Sequence, residues 1–126
     1  MYELEVEGQF SAAHAIVIQG EREPLHGHDW SVTVTISGQT LDTEGLLCDF
    51  HAIESALNTI TGRFHNRNLN ETEPFDRVNP TAEHVARHIA EELSRVLAGV
   101  LPEGARIVSV RVTEAPGCAA TFRADV

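Results

Sequence analysis

Polar and apolar residues alternate along two stretches of the chain, which predicts two β-strands. The first stretch is 2–14, where Leu4, Val6 and Phe10 are separated by glutamates and other polar residues. The second gives the clearer signal, because apolar residues alternate with serine and threonine from Trp30 to Ile36. Since successive side chains of a strand point to opposite faces, each strand is predicted to bury one face only.

Two later stretches change to a spacing of three or four residues, which predicts helices. The first helix begins at Asp49, ends at Gly62 and buries an apolar stripe of Phe50, Ile53, Leu57 and Ile60. The second begins at Asn79-Pro80-Thr81, where proline is tolerated in the first turn, and ends near Gly99. Its apolar stripe consists of Val85, Ile89, Leu93 and Val96.

Alternation returns near the end of the chain and predicts two more strands. One spans 106–113, and the last follows the turn at Pro116-Gly117. The predicted order is therefore ββααββ, which is an α+β fold. At 126 residues, of which 42% are hydrophobic, the chain is expected to form one domain over 1–126 with an ordinary core.

Composition narrows the class of protein. The formal net charge is −10, and the acidic residues are spread along the chain. Because nucleic acid binds to a basic surface, no nucleic-acid partner is expected. No signal-peptide pattern and no apolar segment of transmembrane length occur, so we expect a cytoplasmic protein without a membrane partner. Cys48 and Cys118 are too few for a disulfide framework and are predicted to be free, buried thiols.

Three histidines in two short motifs predict a zinc site. His26 and His28 are two residues apart on one strand, so both imidazoles are predicted to lie on one face, and pairing with the first strand would bring His14 towards them. Three nitrogen ligands leave a position for water or substrate, as in catalytic zinc sites. The alternative is hydrogen-bonded core histidines. A structural zinc would need a fourth ligand, and the candidates Cys48, Cys118, His51 and Asp29 lack metal-motif spacing.

These motifs, with several others in the same order, resemble the 6-pyruvoyl-tetrahydropterin synthase and 6-carboxytetrahydropterin synthase family. The shared pattern covers nearly the whole chain and is more specific than any single motif. It consists of Phe10-Ser11-Ala12-Ala13-His14, His26-Gly27-His28, Asp49-Phe50, Leu69-Asn70, Pro80-Thr81-Ala82-Glu83 and Thr113-Glu114.

The resemblance implies the fold, the substrate class and the assembly. It implies the tunnelling fold, or T-fold, in which two helices cover one face of an antiparallel sheet and several subunits join into a barrel. The implied assembly is a homo-oligomer, most simply a hexamer of two trimers. The implied substrate is 7,8-dihydroneopterin triphosphate or a related pterin, whose side-chain hydroxyls bind Zn²⁺.

The resemblance also assigns substrate contacts. Glu114 aligns with the glutamate that anchors the pterin through its 2-amino and N3 positions, and a carboxylate is suited to accept two such hydrogen bonds. Thr81 and Glu83 align with a motif of the pterin pocket, although Thr81 is equally suited to cap a helix. All nine cationic residues are arginines, so a phosphate must be met by guanidinium or backbone groups, and Arg22 lies near the zinc motif.

The chain departs from the family pattern at the catalytic base. Common members place a cysteine four residues before the first histidine of His-Gly-His, and that position is Arg22 here. The next residue is Glu23, which gives Glu-x-x-His-Gly-His and resembles a branch in which glutamate replaces cysteine. That branch is associated with folate synthesis and cleaves the substrate side chain to yield 6-hydroxymethyl-7,8-dihydropterin. A carboxylate beside zinc can act as base or acid, so Glu23 is the predicted base, with a solvated loop residue as the alternative.

A second departure affects proton transfer. Family members carry Asp-His just before Leu-Asn, whereas the aligned pair here is His65-Asn66. His65 is displaced by one position and is predicted to transfer a proton if the loop shifts accordingly; the alternative is an exposed remnant.

The leading prediction is a zinc-dependent pterin lyase that acts on a dihydroneopterin derivative. The alternatives are a homologue that binds zinc and a pterin without turnover, and a fold turned to a different small substrate. The 6-carboxytetrahydropterin synthase reaction of queuosine-type deazapurine synthesis is less favoured, since its cysteine is missing.

Overall fold

A computed structural model describes residues 1–124 of the chain. Its long elements follow the predicted order ββααββ, which confirms the α+β class. Shorter elements lie between them. The elements are β1 (Tyr2–His14), β2 (Val17–Ile18), β3 (Glu21–Arg22), β4 (His26–Gly38), α1 (Phe50–Gly62), β5 (Arg67–Asn68), a 3-10 turn (Leu69–Glu71), α2 (Ala82–Val96), β6 (Arg106–Ala115) and β7 (Cys118–Arg123).

The main sheet has the strand order β5-β1-β4-β6-β7. All neighbours are antiparallel except β5, which pairs in parallel with β1 at Ala12 and Ala13. The β1–β4 register is continuous from Tyr2 opposite Gly38 to His14 opposite His26. Because no bulge interrupts this ladder, the even-numbered residues of both strands share one face along their full length.

Both helices cover the apolar face of the sheet, as predicted. Helix α1 packs on β1, and α2 packs on β6 and β7. Gly8 allows α1 to approach β1 closely, since a Cβ atom there would lie 2.9 Å from Leu57 Cδ2. Each helix begins at a capping side chain, because Asp49 accepts a hydrogen bond from the His51 amide and Thr81 accepts one from the His84 amide.

Three details of the predicted core are wrong. Phe50 and Val96 lie at helix ends and are 45% and 39% exposed, so the buried stripes are shorter than predicted. Cys118 is exposed because it begins β7, whereas Cys48 is half-buried. Both cysteines are free, as predicted.

A short hairpin, β2–β3, was not predicted and lies between the two long strands. Val17 pairs with Arg22, and the turn is formed by Gln19 and Gly20, which both have positive φ (51° and 82°). Two successive residues of this kind are typical of a type I′ turn. The hairpin carries the chain from His14 to Glu23 and so positions the segment that precedes His26.

Candidate metal centre

Strand pairing brings the three histidines together, as the sequence predicted. His14 lies directly opposite His26, and its neighbour Ala12 lies opposite His28. The three ring centroids are 4.7 to 5.1 Å apart. This spacing follows from the ladder itself, because side chains at i and i+2 and at the facing position project from one face.

Backbone carbonyl groups fix the tautomers of two of these histidines. His14 Nδ1 is 2.8 Å from the Pro80 carbonyl oxygen, and His26 Nδ1 is 2.9 Å from the Pro24 carbonyl oxygen. Since a carbonyl only accepts, each Nδ1 carries the proton and each Nε2 keeps its lone pair. Metal-binding histidines are held in this way, with the second nitrogen donating to an oxygen.

Glu114 of β6 completes the cluster. Its Oε1 lies 3.1 Å from His28 Nε2 and 3.4 Å from His14 Nε2. One potential ligand atom from each of His14, His26, His28 and Glu114 lies within 4.8 Å of the others. The Nε2 atoms of His14 and His28 are buried and have no hydrogen-bond partner, because the carboxylate is close but poorly aligned. Orphaned buried nitrogens beside a carboxylate fit a divalent cation with nitrogen and oxygen ligands.

Sequence reasoning missed Glu114 as a neighbour of the histidines, since it was assigned to the pterin alone. A signal was present, because Val110, Val112 and Glu114 share one face of β6, and β6 pairs with β4. The four alternative fourth ligands, Cys48, Cys118, His51 and Asp29, do not join the metal-ligating group found within residues 1–124.

The electrostatics at His28 favour a neutral imidazole. Burial lowers the pKa of His28; Glu114 and, more weakly, Glu23 oppose this effect, while His14 and His26 add to it. A neutral ring is the form that binds a metal. The cluster is partly open to solvent, because the side chains of Glu114 and His26 are 26% and 37% exposed while His14 is fully buried.

An aromatic floor supports the buried side. The Trp30 ring meets His14 and His28 edge-on, with centroids 4.9 and 5.8 Å away, and Phe10 stacks on its far side at 5.5 Å. The indole N–H donates to the Ala12 carbonyl. These contacts limit the rotation of both imidazole rings.

Glu23 lies beside the cluster. Its Oε1 is 3.6 Å from His26 Nε2 and accepts a hydrogen bond of 3.2 Å from the Ile16 amide. The side chain is 28% exposed, so it is reachable from solvent without being fully solvated.

The remaining candidates lie at different distances from the cluster. Thr81 caps α2 next to Pro80, whose carbonyl meets His14, so the start of this helix adjoins the cluster. Glu83 is exposed in the first turn of α2, and Arg22 is exposed in β3. His65 lies outside the cluster, at the outer edge of β1, where its Nδ1 accepts a hydrogen bond of 3.1 Å from the Ser11 amide.

Within residues 1–124, neither helix has the length and apolar character needed to cross a bilayer.

Comparisons of the sequence with known proteins agree on one family. The family model described as 6-pyruvoyl tetrahydropterin synthase matches residues 3–125. The dihydroneopterin monophosphate aldolase of Pyrococcus furiosus is 36% identical over 90 residues, which cover 71% of this chain and 73% of that protein. The 6-carboxy-5,6,7,8-tetrahydropterin synthase of Bacillus subtilis is 31% identical over 128 residues, which cover 97% of this chain and 85% of that protein.

Solved structures show the same fold. One is the Plasmodium vivax 6-pyruvoyltetrahydropterin synthase, in the form in which a catalytic glutamate is replaced by alanine. It superposes with a TM-score of 0.80 over 99% of this chain and 98% of that chain, at 20% sequence identity.

Proposed function

The chain belongs to the 6-pyruvoyl tetrahydropterin synthase family, and from that membership we propose a zinc-dependent pterin lyase. Its substrate is 7,8-dihydroneopterin or one of its phosphates, and its product is 6-hydroxymethyl-7,8-dihydropterin. One observation supports this proposal most: a carboxylate, Glu23, lies 3.6 Å from His26 within a cluster whose histidine Nε2 atoms are free to bind a metal.

His14, His26 and His28 are the proposed zinc ligands. When bound, zinc supplies a Lewis acid that lowers the pKa of a substrate hydroxyl and stabilises the developing oxyanion. The protein contributes the fixed tautomers, the aromatic floor and a cluster that is partly open to solvent.

Glu23 is the proposed base. It accepts the proton of the hydroxyl at C2′, and the C1′–C2′ bond breaks as C2′ becomes an aldehyde carbon. The electron pair of the broken bond passes into the conjugated C6–N5 unit of the pterin, and a proton returns to C1′ to leave a hydroxymethyl group. His65 is proposed to supply that proton. Because His65 lies outside the cluster, this role requires a movement of its loop or a neighbouring copy of the chain.

Substrate binding is assigned to four further residues. Glu114 is proposed to hold the 2-amino and N3 groups of the pterin, and Thr81 and Glu83 to line the pocket at the start of α2. Arg22 is proposed to meet a phosphate, since its guanidinium is exposed on the hairpin that also carries the chain to Glu23.

Two comparisons favour the lyase. The Pyrococcus furiosus relative is named as a dihydroneopterin monophosphate aldolase, and an aldolase breaks the type of bond proposed here. A glutamate is a catalytic residue in the Plasmodium vivax synthase, so this fold accommodates carboxylate catalysis.

A second candidate is a protein that binds zinc and a pterin without turnover. The observation in its favour is the position of His65, which is outside the cluster, together with the replaced cysteine and Asp-His pair.

The chain is further proposed to act in the cytoplasm as a single-domain homo-oligomer, most simply a hexamer. Two open edges support assembly: β7, and the part of β1 that the two-residue strand β5 leaves unpaired. Exposed sheet edges in natural proteins are covered or paired.

The test is product analysis. Zinc-loaded protein is incubated with 7,8-dihydroneopterin, its monophosphate and its triphosphate, alongside Glu23→Ala, and the products are identified by chromatography and mass. We expect 6-hydroxymethyl-7,8-dihydropterin from the parent and none above background from the variant. Substrates that bind and return unchanged would replace the lyase with the binding protein.

A further inference from the structure

Two asparagine side chains hold the segment that links His14 to the hairpin. Asn70 Oδ1 accepts a hydrogen bond of 2.8 Å from the Ala15 amide, and Asn70 Nδ2 donates one of 2.8 Å to the Ala15 carbonyl. Asn79 forms the same pair with Val17, at 2.9 Å to the amide and 3.0 Å to the carbonyl. Each side-chain amide therefore takes the place of a backbone unit in a β-ladder.

Glu23 forms two hydrogen bonds with Ile16, the residue between Ala15 and Val17. The Glu23 amide donates to the Ile16 carbonyl at 3.0 Å, and the Ile16 amide donates to Glu23 Oε1 at 3.2 Å. Residues 15, 16 and 17 thus form an extended segment whose backbone groups alternate between asparagine side chains and Glu23. The Ile16 amide is the group that orients the Glu23 carboxylate.

Neither asparagine belongs to the hairpin itself. Asn70 lies in the 3-10 turn after β5, where its own amide donates to Asn68 Oδ1 at 3.0 Å. Asn79 precedes Pro80, whose carbonyl meets His14. Asn79 therefore ties the segment to the loop that also holds His14, and Asn70 ties it to the 3-10 turn.

We propose that Asn70 and Asn79 are positioning residues that set the location of the Glu23 carboxylate relative to the histidine cluster. The inference rests on the proposed function for the catalytic role of Glu23. They act through the backbone of residues 15–17, because any shift of Ile16 moves the amide that Glu23 Oε1 accepts from. A misplacement of about 1 Å at a catalytic group can lower a rate by about 100-fold.

Substituting aspartate for Asn70 or Asn79 tests this positioning role. Aspartate has the shape of asparagine but no N–H, so Asn79→Asp places a carboxylate oxygen against the Val17 carbonyl and Asn70→Asp does the same at Ala15. Asn58→Asp on α1 is the matched control, because Asn58 is exposed and undergoes the same change of charge. Asn79→Ala is a milder variant, which leaves the Val17 groups to water.

The readouts are steady-state kinetics, zinc content and amide hydrogen exchange. We expect each aspartate variant to lower kcat about 100-fold with KM within threefold of the parent, while zinc content is unchanged. Exchange of the amides at residues 15–17 should accelerate in both variants and stay unchanged in Asn58→Asp. Asn79→Ala should show the same pattern with a smaller loss of kcat.

Three outcomes would overturn the inference. The first is faster exchange at residues 15–17 with an unchanged kcat, and the second is unchanged exchange. The third is a loss of zinc and of kcat together with a higher KM in all three variants of Asn70 and Asn79, which would indicate a general structural role. If the parent turns over no pterin, the proposed function fails separately. Exchange then decides alone: accelerated exchange of the Ile16 amide in Asn70→Asp, Asn79→Asp and Glu23→Ala supports the positioning network, and retained protection refutes it.

Discussion

Two imidazoles of the cluster are oriented by their second nitrogen as well as by the strands that carry them. His14 donates through Nδ1 to the Pro80 carbonyl, just before α2, and His26 donates through Nδ1 to the Pro24 carbonyl, just before β4. The resulting free Nε2 atoms make a metal the simplest partner for the cluster. Glu114 shares this space, so its two candidate roles, metal ligand and pterin anchor, can be separated by substitution.

Glu114→Gln should bind zinc as the parent does, because three histidines remain, and should raise KM for the pterin about 100-fold. The reason is the loss of charge-assisted hydrogen bonds, each contributing about 1.5 to 3 kcal/mol. Zinc titration and steady-state kinetics are the measurements, and Glu54→Gln on the exposed face of α1 is the control. A fall in zinc affinity with an unchanged KM would make Glu114 a ligand instead.

His88 gives a prediction about stability and pH. It is half-buried against Phe64 and Phe75, with ring centroids 5.8 and 5.5 Å away, and burial lowers its pKa, while Glu92 opposes this effect. The unfolded chain therefore takes up the proton first, so the contribution of His88 to stability is complete above about pH 6.5 and is lost as pH falls below it.

His88→Leu should remove this part of the pH dependence, which has a slope of at most about 1.4 kcal/mol per pH unit. Urea unfolding between pH 5 and 8 (about the range in which histidine titrates) measures it. His51→Leu is the control, because the His51 side chain is 91% exposed. Equal pH dependence in the parent and His88→Leu would contradict the assignment.

At the residue scale, the sequence predicted the histidine cluster better than its surroundings. The histidines followed from strand parity and one strand pairing, both of which are local rules. The Pro80 and Pro24 acceptors and the approach of Glu114 depend on loop paths and on the β4–β6 pairing, which periodicity does not specify. The surroundings of His88 have the same origin, because Phe64 and Phe75 contact its ring from outside α2.

Between elements, an ion-pair network joins the end of α1 to α2. Glu92 accepts hydrogen bonds from Arg63, the residue at the end of α1, at 2.8 Å and from Arg95 at 3.0 Å. These bonds lower the pKa of Glu92 to about 2. The stabilisation is therefore present above about pH 4.5 and is lost as pH falls through about 2.

Glu92→Gln should lower the free energy of unfolding by about 1 kcal/mol near neutral pH, since solvent screens the exposed guanidinium groups. The difference from the parent should shrink as pH falls below about 4.5. Denaturant unfolding measures both effects. Glu91→Gln removes an exposed pair with Arg87 and should cost only about 0.2 to 0.5 kcal/mol, and an equal cost for both variants would argue against a special role for the network.

The long elements were predictable and the short ones were not. Strand β1 has the predicted bounds because its alternation is unbroken, and the turn at Pro116-Gly117 located β7. Hairpin β2–β3 was missed because the adjoining segment 15–17 is held by Asn70 and Asn79, which come more than 50 residues later in the chain. No local pattern encodes such contacts.

For the whole molecule, the uncovered face of the sheet has an ordered distribution of charge. Cross-strand partners form a row from Glu5 through Thr35 and Ser109 to Arg123, and the next row begins at Glu7 and includes Arg111. Acidic side chains therefore lie on β1 near one edge, and arginines lie near the opposite edge. Such a sheet is complementary to a second copy placed edge to edge.

This arrangement predicts a closed homo-oligomer in which β7 of one copy adjoins β1 of the next. Light scattering should give a multiple of the chain mass, with six copies expected. Arg123→Glu should weaken the assembly by placing like charges together, and Arg123→Glu with Glu5→Arg should restore it. A single-copy mass for the parent, or no effect of Arg123→Glu, would contradict this mode of assembly.

The cluster draws its donors from β1, β4 and β6, and His14 and Glu114 lie far apart in the sequence. The cluster therefore does not exist until the three central strands have paired, which is a late event for contacts so distant in sequence. An ion bound there stabilises the native state but not the transition state for folding, in which the cluster has not yet formed. Metal loading then acts on the lifetime of the folded protein, by slowing its unfolding, and leaves the rate at which the chain folds nearly unchanged.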